Sequence, residues 1–147
     1  MGGFRGRAPS GGQATVEFAL AVIVFVTMLC GVFDLGRGVY ENNALSEAAR
    51  ELARTTSVHP GSPLGTSSQT GTTLATQRGL VMGMGTPTYS CVDIDGSAVS
   101  GTCKPGYWVK VRVTATYSPV TPLLGLAGAF TFTATSSIQI SNDLEFP

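Results

Sequence analysis

Residues able to do chemistry are few in this chain, and they fall in two places. The first is Glu17, the one charge in an otherwise apolar or small run from Ala14 to Phe33 (ATVEFALAVIVFVTMLCGVF). An acid in the middle of a membrane-length helix costs up to roughly 3 kcal/mol, so one that persists points to function. The plainer account is an interfacial acid near a helix start, where the dipole favours it. The preceding residues weigh on that choice. A cut between Gly12 and Gln13 would leave a new α-amino group on Gln13, with Glu17 one helical turn away on the same face. The carboxylate would neutralise that amine, or the amine of a neighbouring subunit, inside the lipid, so that a pair replaces two isolated charges.

The second place is Cys91 and Cys103, which bracket an Asp95-Gly96 turn signal. A disulfide closing so short a loop adds about 3 kcal/mol on the chain-entropy account. A zinc site would need further Cys or His close by, and the sequence offers none there. The lone His59, beside Pro60, reads as a solvated loop residue. With no phosphate-binding Gly-Lys motif, no G-x-S-x-G and no metal-ligand cluster, neither catalytic residues nor a metal nor a cofactor is expected, and the chain does not read as an enzyme. Nine basic and nine acidic residues cancel, and charged residues make up 12% of the chain, which argues against nucleic-acid binding.

The elements that must carry these residues follow from patterning. The 147 residues have room for about one domain. Twenty helical residues from Ala14 span roughly 30 Å, the thickness of a bilayer core, and a soluble domain this small has too little material to cover a helix apolar on all sides. No A-x-A-like site follows the run, and Leu29, not a small residue, precedes Cys30, so neither an ordinary secretory signal nor a lipoprotein signal fits. Arg5 and Arg7 lie before the run, whereas Asp34, Arg37 and Glu41 after it nearly balance. The positive-inside bias puts the N-terminus in the cytoplasm and the remainder outside, where a disulfide persists.

From Tyr40 the pattern is amphipathic: Leu45, Ala48, Ala49 and Leu52 share one helical face, with Glu47, Arg50, Glu51 and Arg54 toward the other. The membrane helix is expected to continue as one rod, with Gly36 and Gly38 as bending points. Thr55 to Thr73 reads as a Gly/Ser/Thr/Pro linker, and Leu74 to Met84 as a short second helix. Two long period-two runs follow, Tyr107 to Tyr117 and Phe130 to Ile140, which predict half-buried antiparallel strands. Tyr89 to Ile94 predicts another strand, entering a tight hairpin. The apolar connection Pro119 to Ala129 is either a contact surface or a loop folded over the helix. The sum is an α+β chain: a long N-terminal helix, membrane-spanning in its first half, on a small antiparallel sheet of three to four strands.

The stretch Gly12-Gln13-Ala14-Thr15-Val16-Glu17-Phe18-Ala19 resembles the start of TadE-like proteins, with Gly before the cleavage point and Glu at the fifth mature position. Gly31 to Tyr40 (GVFDLGRGVY) and Asn43 to Arg54 (NALSEAARELAR) resemble the rest of that family's N-terminal signature. The resemblance implies a pilin-like fold and the type IV prepilin scheme, with residues 1–12 as leader and cleavage between Gly12 and Gln13 by a prepilin peptidase. Together with the patterning above, this divides the chain into a span at 13–35, an exported continuation of the helix at 36–55, the linker at 56–73 and a small α+β exported head at 74–147. Major pilins of tight-adherence systems are very short, so a head this large points to a minor pilin or pseudopilin in pilus assembly, initiation or adhesion. The implied partners are other pilin or pseudopilin subunits, the inner-membrane assembly platform and membrane lipid. The implied location is the bacterial inner membrane, and from there the pilus. The contrasting reading is a single-pass anchored scaffold or binding domain that never enters a filament.

Overall fold

The computed structural model describes residues 11–100, 103–121, 125 and 128–141. Most of the expected leader, residues 1–10, lies outside the described residues, as do parts of the connection after Pro119.

Helix α1 runs unbroken from Gly11 to Val58, 48 residues or about 72 Å. No proline interrupts it, and Pro60, which lacks the N–H a helix needs, follows its end. It passes through Gly36 and Gly38 without a break. Its two halves live in different surroundings. From Gly12 to Phe33 no residue is buried, and the most apolar window has a mean hydropathy of 2.5, long and apolar enough to cross a membrane. Within this half the Thr27 hydroxyl donates to the Ile23 carbonyl at 2.8 Å, so its polar group is satisfied along the helix itself. From Asp34 onward one face is covered, and Leu45, Ala48, Ala49, Leu52 and Ala53 are fully buried.

The covering layer is a four-stranded antiparallel sheet in the order β2-β1-β3-β4. Strand β1 is Thr88–Val92, β2 Ala98–Val99, β3 Trp108–Tyr117 and β4 Phe130–Gln139. The long pair is in register from Trp108 opposite Gln139 to Tyr117 opposite Phe130. That register puts Val109, Val111, Val113, Ala115 and Tyr117 on the helix side, with Ala134 buried on β4. Lys110, Arg112, Thr116, Thr131, Thr133 and Thr135 are exposed on the other face. Alanines on the helix stripe let its backbone approach the sheet, while Leu45 and Leu52 fill the space between; burying each leucine contributes about 1.5–3 kcal/mol. The α+β architecture expected from patterning is therefore the one observed.

The second helix differs from expectation. Helix α2 spans Ser68–Leu80, so it starts six residues before Leu74 and ends short of Met84. Its start is set by Ser67, whose side-chain oxygen accepts from the Thr70 amide at 3.2 Å. The contact with α1 is made by hydroxyl pairs, Thr56 with Thr70 at 3.5 Å and Thr55 with Thr73 at 3.3 Å. A helix held by threonines shows no apolar period, which is why its first turns look like linker. The intervening loop lies against the sheet at Gly65, where φ is +82° and a Cβ would come within 2.5 Å of the Tyr89 ring.

The β1–β2 hairpin turns at Asp93 to Ser97, with the Gly96 amide donating to the Asp93 carbonyl at 2.9 Å and Gly96 at φ +77°. Cys91 and Cys103 are disulfide-bonded across 5.6 Å between Cα atoms, and both belong to the core. The bond fastens this outer hairpin to the chain just before β3. Replacing both cysteines by serine is expected to lower stability by about 3 kcal/mol, read from denaturant unfolding of the protein in detergent micelles. An unchanged midpoint would mean that the hairpin is held by its ladder alone.

Candidate functional site

Two regions carry polar groups in places where such groups are costly, and both lie on α1. The first is the start of the helix. Gly12 and Gln13 belong to its first turns, and a Cβ at Gly12 would meet nothing within 4 Å. Glu17 stands one turn beyond Gln13, exposed on a segment that nothing else among the described residues covers. The disulfide, by contrast, sits in the head, so the two sets of sequence-derived residues do not meet.

The second region is the junction of helix and head, and it centres on Asp34, a residue that patterning marks only as a flanking charge. Asp34 is the first residue after the apolar run, and it is 6% exposed. Its carboxylate accepts from the Val120 amide at 3.2 Å, the Thr121 amide at 2.8 Å and the Thr121 hydroxyl. The Tyr117 hydroxyl donates to the Asp34 backbone carbonyl at 2.8 Å, using the oxygen's second lone pair. One residue thus receives the end of β3 and the first turn of the connection behind it. Hydrogen bonds to an ionised acceptor are about twice as strong as neutral ones.

Neighbouring groups fix the geometry. The Arg37 guanidinium lies 5.6 Å from the centre of the Tyr117 ring, and its Nε donates to Glu41 Oε1 at 3.0 Å. Gly38 lets the strand approach, with Tyr117 and Phe132 ring atoms 3.9 Å from where its Cβ would be. The Tyr117 and Phe132 rings pack with centroids 5.7 Å apart. Burial, then the adjacent Asp34 charge, pushes the Tyr117 phenol above its ordinary value. Beside this tie is an open apolar groove of about 560 Å³, walled by Leu35, Val39, Pro119, Phe130 and Phe132.

The sequence held one signal for Asp34. Aspartate is a poor interior helix residue, and this one stands in mid-helix where the membrane-length apolar run ends. Its partners are more than eighty residues away, so no local pattern reveals them. Of the two readings of the Pro119 connection, the segment to Thr121 folds onto the helix while the Val120 side chain stays exposed; residues 122–124, 126 and 127 lie outside the described residues.

A family model described as TadE-like protein matches residues 12–54. No curated protein and no solved structure matches the chain. The matched stretch begins at the Gly12–Gln13 bond, contains Glu17 and Asp34, and ends four residues before the end of α1. It coincides with the resemblance carried by the sequence.

The tie makes a graded set of variants informative. Tyr117→Phe removes one neutral hydrogen bond and is expected to cost about 1 kcal/mol. Asp34→Ala leaves two amides and a hydroxyl without their acceptor and should cost more, with Asp34→Asn in between because its amide oxygen still accepts. Hydrogen exchange at Val120 and Thr121 reads the effect locally: protection should fall in Asp34→Ala while amides of β3 near Val111 keep theirs. Equal loss at both places would mean the head unfolds as a whole.

Proposed function

We propose that this chain is a minor pilin or pseudopilin of a tight-adherence, type IV-like pilus, made as a precursor and acting in pilus assembly or initiation and in adhesion. The observation that carries the reading is a coincidence of place. The TadE-like match begins at the Gly12–Gln13 bond and falls entirely on the helix whose first half is exposed and membrane-length. A prepilin peptidase would cut at Gly12, leaving Gln13 as the new N-terminus. The Glu17 carboxylate then stands opposite an amine, its own or that of an incoming subunit, where an unpaired charge in a dry bundle is costly. The work is done by assembly and not by catalysis, and it calls for no cofactor and no nucleic acid. The partners are the peptidase, other pilin or pseudopilin subunits, the inner-membrane assembly platform and membrane lipid. The N-terminus faces the cytoplasm and the head lies outside, in the membrane first and then in the pilus.

One observation favours a static anchored scaffold instead: the match stops at Arg54, leaving the whole sheet beyond it. An anchor has no use for cleavage, however, and this separates the two. N-terminal sequencing of the membrane-extracted protein should give Gln13 as the first residue, and a bulky side chain at Gly12 should block processing. A mature chain starting before Gly12, or beyond residue 30, would rule the precursor scheme out.

Glu17 gives the second test. Glu17→Gln and Glu17→Ala should leave membrane insertion intact, since losing an intramembrane charge makes insertion easier. The same changes should lower surface pilus counts and the recovery of partner subunits at matched membrane levels. Normal piliation with unchanged partner recovery would reduce Glu17 to an interfacial acid and favour the scaffold.

A further inference from the structure

Past residue 33 the chain goes on presenting apolar surface where a helix leaving a membrane would meet water. On α1, Leu35 and Tyr40 are 67% and 70% exposed; on the head, Val120 is 74% and Phe130 42% exposed. Phe130 opens β4 at the end of the sheet that Asp34 holds against the helix, Val120 lies in the connection just beyond β3, and the apolar groove runs between Phe130 and Leu35. What covers this rim is decided by its height and its charge.

The height is fixed by bonds. The apolar run spans roughly 30 Å, and the very next residue, Asp34, binds the amides of Val120 and Thr121. The rim therefore stands at the edge of the hydrocarbon and not a domain's breadth above it. Residues 34 to 40 climb only about 10 Å further along the helix, comparable to the headgroup layer of a bilayer.

The charge is missing. Residues 113 to 142 contain no acidic or basic side chain. Asp34 is turned inward onto its donors, and Arg37 and Glu41 are paired with each other. The nearest charge on the sheet is Arg112, about 17 Å along β3 from Tyr117. A rim met by water or by a charged partner has no reason to be so bare. A second copy of the chain is the other occupant such a groove could take, but a copy must first be recruited, whereas lipid is there as soon as α1 spans.

We infer that the head is seated on the outer leaflet, with Val120, Phe130 and the groove beside them sunk to the level where acyl chains meet headgroups. The partner is the bilayer itself, engaged by apolar burial and not by headgroup charge. This rests on the membrane-spanning reading of α1 given above, and it fixes the head upright on the membrane.

The test uses the full-length protein in phosphatidylcholine nanodiscs, with and without phosphatidylglycerol, in a Cys30→Ser background that leaves only the disulfide-bonded cysteines. Nitroxide labels go on Val24→Cys, Arg112→Cys, Val120→Cys and Phe130→Cys, and collisions with oxygen and with a water-soluble nickel chelate are compared. Labels at 120 and 130 should favour oxygen, as at 24, while 112 favours the chelate. The ratio should not change with phosphatidylglycerol or with high salt. Labels at 120 and 130 that behave like 112, with 24 still in lipid, would overturn the seating and leave the anchor standing. A label at 24 open to the chelate would remove the anchor itself. Exclusion of both reagents at 120 and 130, with spin–spin broadening that grows with the number of chains per disc, would assign the rim to a second copy and overturn the inference.

Discussion

The structure turns on the Asp34 carboxylate and the donors that converge on it. A helix that is apolar on every side for twenty residues gives a small sheet nothing to grip, because the sheet can offer no more to that surface than lipid does. Grip has to begin where the helix changes character, and a directional bond must mark the place. Asp34 supplies it with two amides and a hydroxyl of the connection and, through its carbonyl, the Tyr117 phenol. Moving the acid one residue along α1 would rotate it by about 100° and point it away from the loop. The tie therefore sets both the height of the head on the rod and its rotation about it.

Above the tie, packing rather than polarity takes over. The fully buried alanines of α1 face a strand of alternating valines, so backbone and sheet come close over several turns, with Leu45 and Leu52 as the large side chains. The far end is closed differently, by the threonine pairs between α1 and α2. Each neutral hydroxyl pair contributes only about 1 kcal/mol, so the head depends on its middle for stability and on its two ends for position. The disulfide has a similar part at the outer edge, where the two-residue strand β2 has too short a ladder to hold the hairpin by itself.

Much of this is legible from the sequence, for reasons that differ by element. The long helix shows itself because its apolar run is continuous and its second half keeps a single stripe through Leu45, Ala48, Ala49 and Leu52. Strands β3 and β4 show themselves because half-burial forces a period of two, from Val109 to Tyr117 and from Phe130 to Ile140. Cys91 and Cys103 stand out by spacing around a turn. What escapes the sequence is what has no period. The first turns of α2 are held by hydroxyls and a serine cap, so they carry no apolar repeat. Asp34 shows only as an aspartate in mid-helix, because its meaning lies in Val120 and Thr121, and bonds between residues so far apart leave no local pattern that names the partners. Of the candidate site, then, Gly12, Gln13 and Glu17 are visible as a spacing, while the junction that positions the head is visible only in three dimensions.

On the proposed membrane reading one helix serves two solvents, and this constrains how the protein would leave one for the other. If α1 is drawn from lipid into a bundle of subunits, the apolar half loses little, since neighbouring helices are as apolar as acyl chains. The polar groups decide the outcome. With the cleavage proposed above, Glu17 and the Gln13 amine, each costly alone in lipid, would become an asset when they can pair, so their contribution would favour the bundle over the isolated span. The rim at Val120 and Phe130 works in the opposite sense. Its apolar surface is tied to α1, so on the inferred seating it would have to leave the leaflet together with the helix and would be re-exposed unless a neighbouring subunit covered it. Departure is then favoured only when both ends of the span find partners at once, an amine or carboxylate at Glu17 and an apolar surface at the rim. A subunit of the proposed kind would be stable in the membrane alone and would enter a filament only beside another subunit, which suits the proposed role where assembly begins.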